Sequence, residues 1–294
     1  MRERTWEKLG MVYGVENDHP CLLSHASNPL AHHLQGDIYR VFYSGRDKDN
    51  RSSVSYVDID VEKRQVIYDH RKPIIEPQYE TFYSHGITIG NLWTEGGDEY
   101  IGFMGWQQKK GHHWRGDIGK VNLRTKEVSL LLGVNEEDKI SLSYPHILEE
   151  GGVYKMWYGS TVDWTSVNGE MIHVIKYATS IDCKNWDFKG LAIPYEIGKA
   201  QAFSKPSVHK DQRGYHMWFS YRSGDGTPYR IGYAFSENGE QWNMQQSNLN
   251  VSTSGWDEDM VCYPHVFKHK KNLYMVYNGN RYGLEGFGLA RAQR

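Results

Sequence analysis

Residues 154–160 read YKMWYGS and residues 215–221 read YHMWFSY, two short stretches dense in aromatics that run down to small residues. Aromatic and branched side chains at this density suit a pleated, buried strand. The same phrase recurs as YRVFYSG (39–45), YIGFMGW (100–106) and LYMVYNG (273–279). Before each lies a short apolar strand headed by Pro or Gly: Pro20 in NDHP, Gly86 in YSHG, Pro145 in LSYP, Pro206 in FSKP and Pro264 in VCYP, about 60 residues apart. Repeats of that length with several short strands each predict a β-propeller, whose blades pack radially about a central channel. Five repeats predict five blades in an all-β chain, with residues 1–294 forming a single domain.

Two repeats display a third and a fourth strand, VIKYATS (174–180) with NWDFKGLAIPY (185–195), and IGYAFS (231–236) with QWNMQQSNLNV (241–251). The last repeat ends at GFGLARA (286–292) without a Trp-headed outer strand. TWEKLGMVYGV (5–15) has the missing shape, so the N-terminal strand is expected to complete the last blade and leave no open sheet edge. The turns SIDCKNW (180–186) and SENGEQW (236–242) carry the Asp, Asn and Gly that tight hairpins use, and read as scaffold on the outer rim.

Composition narrows the partners. The net charge is −2 and the pI about 6.7, which leaves no electrostatic footprint for nucleic acid or an anionic membrane. No apolar stretch reaches the roughly 20 residues a membrane helix needs. MRERTWEKLG lacks the apolar core of a signal peptide. Cys21, Cys183 and Cys262 cannot all pair and match no zinc spacing, so a cytoplasmic location is expected. The 21 Tyr and 10 Trp suit stacking on sugar rings, and the partner expected is a small molecule or an oligosaccharide. Oligomeric state stays open.

The innermost strand of a blade lines the channel, so residues just before the repeat heads are expected at the axis: His19, His85, Tyr144, Lys205 and Tyr263, with Asp18, Ser84, Ser143, Ser204 and Cys262 one position earlier. Polar groups at the heads of apolar strands need partners if buried. A second ring follows the aromatic strands, with Arg46, Trp106 and Gln107, Asp163, Arg222 and Arg281. Guanidinium forks hold carboxylate or phosphate through paired hydrogen bonds, so Arg46, Arg222 and Arg281 together point to an anionic ligand. The alternative is that each Arg pairs with a loop carboxylate such as Asp47, Asp225 or Glu285.

Through YSGR, MWYGS, IGYAFS and the Trp-headed outer strands, the whole chain resembles the arabinanase-like five-bladed propellers of glycoside hydrolase families 43, 32 and 130. The resemblance implies a carbohydrate-active enzyme with its site in the channel. Family 43 carries a catalytic Asp directly before the first-blade Pro, a second Asp before a later Pro, and a Glu acid at the head of another blade. Here NDHP displaces Asp18 by one and puts His19 in its place; Tyr144 stands at the second position, and Ser204 and Lys205 stand where a Glu is sought. The carboxylate pair that glycoside hydrolysis ordinarily needs is therefore not in its usual places.

What remains is Asp18 as base or nucleophile, with Glu258 in WDEDMVCYP ahead of Asp163 and Asp225 as acid, or Tyr144 or Tyr263 as a sialidase-like nucleophile. His19, Arg46, His85, Trp106, Lys205, Arg222 and Arg281 are the expected substrate contacts. No metal or cofactor is expected, although His19 and His85 could hold an axial ion as in related propellers. Three functions stay open: a glycosidase-like enzyme on an anionic sugar or glycoconjugate, a non-catalytic sugar-binding propeller, and a transferase, lyase or phosphorylase on a cytoplasmic sugar intermediate.

Overall fold

A computed structural model describes residues 5–245 and 247–293. Strand Trp6–Gly14 (β1) stands apart at the start of the chain. Four antiparallel strands follow in chain order, Ser24–Gln35 (β2), Ile38–Arg46 (β3), Ser52–Asp60 (β4) and Gln65–Asp69 (β5). The pattern repeats as Gly86–Glu95 (β6), Asp98–Gln107 (β7), Arg115–Asn122 (β8) and Val128–Leu132 (β9). A third meander holds Leu142–Glu150 (β10), Val153–Asp163 (β11), Ile172–Ser180 (β12) and Asp187–Leu191 (β13). The fourth holds Ala202–Asp211 (β14), Gly214–Arg222 (β15), Arg230–Ser236 (β16) and Asn243–Gln245 (β17). The last holds Cys262–His269 (β18), Asn272–Asn278 (β19) and Gly286–Ala292 (β20), and β1 pairs with β20 as its fourth strand. Residues 1–4 and Gln246, which belong to the expected N-terminal and 241–251 segments, lie outside the described residues.

Among the described residues the fold is all-β apart from the single turn Asn280–Gly283 (α1). Single parallel bridges, Ser52↔Gly86 and His173↔Ala202, join neighbouring meanders at two places. The first strands touch in the order β2, β6, β10, β14, β18, and β18 touches β2 in turn. Five apolar clusters fill the spaces between consecutive meanders, the one between last and first holding Tyr13, Val276 and Phe287 against Val41 and Tyr43. Both faces of the aromatic strands are covered by this packing. Met156, Trp157 and Tyr158 are consecutive and all fully buried, which is why these strands read as unbroken aromatic runs rather than alternating ones. The outer strands β5, β9, β13 and β17 are short and mostly solvent-facing, which blunts the sheet edges.

β1 is fixed by packing as well as by its ladder. Trp6 is buried edge-on against Trp218 at 5.7 Å, and Lys8 Nζ reaches Asp257 at 2.6 Å. In the SENGEQW turn, the Gly239 carbonyl accepts from the indole N–H of both Trp157 (2.8 Å) and Trp242 (2.9 Å).

Two of the repeat heads differ from the sequence reading. Each first strand carries a bulge that leaves two residues out of the ladder: Asn28–Pro29 between Ser27 and Leu30, Gly90–Asn91 between Ile89 and Leu92, then Tyr144–Pro145, Lys205–Pro206 and Tyr263–Pro264. Pro20 lies in the loop before β2 and Gly86 at the start of β6, so neither heads a bulge. Proline is tolerated at a bulge because the ladder asks no N–H of it there. In four of the bulges the leading residue has a left-handed backbone, with φ of 56° at Asn28, 36° at Tyr144, 53° at Lys205 and 54° at Tyr263. Such a conformation costs a non-glycine residue of order 1–3 kcal/mol and clusters at functional sites.

Side chains next to the bulges stitch one meander to the next where main chains diverge around the axis. Asn91 bonds both the N–H and the carbonyl of Ile147, His146 Nε2 accepts from Val208 N, Ser207 Oγ accepts from Val266 N, and His265 Nε2 lies 3.2 Å from the Ala31 carbonyl.

Candidate functional site

Three of the bulge residues, Asn28, Tyr144 and Tyr263, line a cavity of about 280 Å³. Every meander contributes to its wall: Ser27, Asn28, Ser44, Arg46 and Ser52 from the first, Thr88, Met104, Trp106 and Trp114 from the second, Tyr144, Met171 and His173 from the third, Ser204, Arg222 and Tyr229 from the fourth, and Tyr263 and Tyr282 from the fifth. No carboxylate is among them.

Two guanidinium groups supply the charge. Arg46 has no carboxylate partner among the described residues. Arg222 Nη2 lies 2.9 Å from Glu170 Oε1, and its guanidinium sits 4.7 Å over the Tyr229 ring. Among the described residues, four buried polar atoms on the wall lack a partner: Asn28 Oδ1, Ser44 Oγ, Ser204 Oγ and Arg222 Nε. Leaving a buried donor or acceptor unmade costs about 1–3 kcal/mol, so their convergence marks a place built for a polar ligand.

Four tyrosines stand together, with ring centroids 5.7 Å apart for Tyr144 and Tyr263, 6.3 Å for Tyr229 and Tyr263, and 6.2 Å for Tyr263 and Tyr282. Burial pushes the Tyr144 phenol up to about 12, with the Tyr263 hydroxyl and the Arg46 charge working against it. Burial raises Tyr229 and Tyr263 as well. Burial thus keeps the Tyr144, Tyr229 and Tyr263 phenols protonated at neutral pH. His173 is likewise held neutral, its pKa lowered to about 4 by burial, with Nε2 2.6 Å from Ser143 Oγ and Nδ1 2.8 Å from Thr161 Oγ1. Aromatic faces complete the wall: Trp106 is pinned through its indole N–H to Ser52 Oγ (3.0 Å), and Trp114 packs edge-on against Trp164 at 4.7 Å.

Of the residues expected from sequence, Arg46, Trp106, Tyr144, Arg222 and Tyr263 are brought together on this wall. His85 packs on Trp106 at 4.5 Å without lining the cavity. Lys205 is fully buried, its Nζ donating to the Gly90 carbonyl at 2.5 Å, and burial lowers its pKa to about 7. The expected convergence of three arginines is corrected to two, because Arg281 is exposed and paired with Glu285 at 3.0 Å in its own turn.

The expected carboxylates are not gathered at the cavity. Asp18 is exposed in the loop before β2, and His19 beside it accepts at Nδ1 from Cys21 N (3.3 Å). Asp163 accepts from Thr165 N, Asp225 from Thr227 N and Ser223 Oγ, and Glu258 from Gly255 N. Each of these last three satisfies the backbone of its own turn, the usual employment of an acidic loop residue. The three cysteines are free thiols.

Sequence reasoning missed Asn28, Ser44, Trp114, His173, Tyr229, Tyr282 and the Glu170 that grips Arg222. A signal for the first was present: Ser27–Asn28–Pro29, Ser143–Tyr144–Pro145 and Ser204–Lys205–Pro206 share a Ser-x-Pro phrase, and Cys262–Tyr263–Pro264 differs from it by one atom type.

No protein-family model matches the sequence. It is 34% identical over 296 residues to the uncharacterised proteins MT1551 and Rv1502 of Mycobacterium tuberculosis, spanning 97% of this chain and 98% of each relative. Among solved structures it is similar to a complex of BT0996 with RGII (TM-score 0.79, 14% identity, 99% of this chain and 92% of that one) and to a glycoside hydrolase (TM-score 0.78, 14% identity, the same coverage). It also matches a structure from a study of the GH130 family of mannoside phosphorylases, whose glycoside hydrolases target β-1,2 mannosidic linkages in Candida mannan (TM-score 0.70, 14% identity, 98% and 93% covered). At these identities the likeness to solved structures is one of fold.

Proposed function

Because the protein belongs to the family of the Mycobacterium tuberculosis proteins MT1551 and Rv1502 and shares its fold with glycoside hydrolases, we propose that it is a five-bladed β-propeller closed by β1, a glycosidase-like carbohydrate-active protein that takes an anionic sugar or glycoconjugate into its axial cavity. Support for five blades comes from the five meanders, the cyclic contacts of their first strands and the five apolar seams. The observation that carries the ligand class is the pair Arg46, which has no carboxylate partner among the described residues, and Arg222, which is held by Glu170 but keeps an unpartnered Nε, on a lining that includes no carboxylate. A uronate carboxylate or a sugar phosphate satisfies them by charge-assisted hydrogen bonds. The sugar hydroxyls then meet Asn28 Oδ1, Ser44 Oγ and the neutral phenols, while Trp106 and Trp114 offer faces for the apolar side of the ring. The protein is proposed to act in the cytoplasm without a cofactor at this site.

A second reading, a sugar-binding propeller without turnover, is favoured by the absence of lining carboxylates, since hydrolysis by two carboxylates has none to draw on at the cavity. Calorimetry with uronic acids, sialosides and sugar phosphates, run beside assays for released reducing sugar with and without phosphate, separates the readings. Binding with turnover supports the enzyme, phosphate-dependent turnover supports phosphorolysis, and binding alone supports the binding module. Absence of any binding by the wild type overturns the cavity as an anionic-sugar site.

A further inference from the structure

At the end of the strands opposite the cavity, three turns from the last and first meanders meet. Asp37 lies between β2 and β3, Glu62 between β4 and β5, and His269 at the end of β18. One nitrogen of His269 and one oxygen from each carboxylate lie within 4.8 Å of one another. His269 Nε2 is 3.1 Å from Asp37 Oδ1 and 3.3 Å from Glu62 Oε1. The imidazole is 4% exposed, and its Nε2 makes no aligned hydrogen bond with either oxygen.

The other ring nitrogen explains which atom faces the carboxylates. Tyr39 donates its hydroxyl to the Lys268 carbonyl at 3.2 Å, so towards His269 Nδ1, also at 3.2 Å, the phenol oxygen is an acceptor. Nδ1 then carries the hydrogen, and Nε2 is the ring nitrogen that faces the two carboxylate oxygens. One ring nitrogen and two carboxylate oxygens converging from three turns form a donor set that a cation can fill. Fixing the far nitrogen by a hydrogen bond is also how metal-ligating histidines are oriented. The spacing fits: a tetrahedral ion with ligand bonds of about 2.0–2.1 Å has ligand–ligand edges of roughly 3.3 Å.

We infer that Asp37, Glu62 and His269 form a site for a divalent metal ion, with zinc the best match to one imidazole and two carboxylates and water completing the shell. The ligands come from the first and last meanders, so the bound ion cross-links the seam between the two ends of the chain. Lys270 already lies near both carboxylates, with Nζ 2.8 Å from Asp37 Oδ1 and 3.4 Å from Glu62 Oε1. Its side chain is 58% exposed and free to swing out, which makes it the competitor the metal displaces. The site is remote from the cavity, and its failure would leave the sugar reading untouched.

The test is a titration of chelator-treated full-length protein with zinc chloride and manganese chloride, followed by calorimetry and thermal unfolding. The expected result is one zinc per chain and a rise in midpoint of several degrees. Glu62→Gln and His269→Gln should each weaken binding at least tenfold, whereas Lys270→Ala should keep or tighten it. Zinc bound with equal affinity by wild type and Glu62→Gln, whose side chain is at the surface and whose folding is checked by circular dichroism, overturns the site. So does a wild type that neither binds nor is stabilised by either metal.

Discussion

Lys205 of β14 donates its Nζ to the carbonyl of Gly90 on β6, a 2.5 Å bond between the fourth and second meanders. Glycine is required at the receiving end, since a Cβ on Gly90 would stand 2.2 Å from the Pro145 carbonyl oxygen. Burial without a carboxylate partner is what brings the lysine from an ordinary 10.5 to about 7.

Stability should therefore rise with pH across the interval between those values. From about 7 to 10.5 the unfolded chain holds a proton that the folded lysine has given up, so unfolding takes up a proton and becomes harder as pH increases. Below 7 the amine is charged in both states and the cost of burying it is fully present. His146, lowered to about 3 by burial and by Lys205, and His265, lowered likewise, add a rise below their ordinary 6.5. Tyr144, raised to about 12, reverses the slope above 10, where the unfolded phenol loses its proton first. At 1.36 kcal/mol per pKa unit the lysine contributes on the order of 5 kcal/mol across its window. Urea unfolding at pH 7, 8 and 9 should show a slope that Lys205→Met flattens. Parallel curves for the two proteins would refute the assignment.

Arg46→Ala and Arg222→Ala should each weaken an anionic sugar by roughly 1.5–3 kcal/mol, the scale of a charge-assisted hydrogen bond. Arg281→Ala, whose guanidinium is engaged with Glu285, should leave affinity unchanged. Calorimetry on the three variants checks both halves, and an equal loss in all three would return Arg281 to the site.

Asp18→Asn and Glu258→Gln should leave sugar affinity within about twofold of wild type, as expected of surface changes away from the wall. Turnover assays on the same proteins decide whether either carboxylate has a part in chemistry. A large loss of turnover with affinity retained would show that the loop closes over the cavity during reaction.

Trp6→Ala should destabilise the fold by about 3–5 kcal/mol, because it empties the buried space against Trp218. Removing residues 1–15 should be more severe still, since it strips β20 of its outer partner and leaves it paired with β19 alone. Thermal unfolding of both variants is the measurement, and a truncated protein that melts like wild type would contradict the role given to β1.

The aromatic strands and the N-terminal partner of β20 are legible in the sequence because burial on both faces writes a loud composition. Tyr144, Lys205 and Tyr263 are legible for a related reason: a proline after each fixes where the ladder breaks. Asn28 escapes notice because NDHP, nine residues earlier, offers a proline with a titratable neighbour, and local pattern does not tell a bulge from a loop. Gly90 escapes because its bulge has no proline at all. Tyr229 and His173 reach the cavity, and Glu170 reaches Arg222, from third strands or from the loop before one, places where only the assembled fold determines what faces inward. Arg46 and Arg281 follow equivalent strands and look alike in sequence; the left-handed turn at Arg281, with φ of 53°, separates them.

The pairing of Trp6 with Ala292 has a further consequence during synthesis. At 5–20 residues per second the ribosome needs roughly 15–60 s to make the partner of a strand it has already released. For that interval β1 is an unpaired edge beside a growing stack of sheets, and the β20 of a neighbouring chain on the same message is as good a template as its own. The strand that completes the monomer is thus also the one through which two nascent chains can exchange ends.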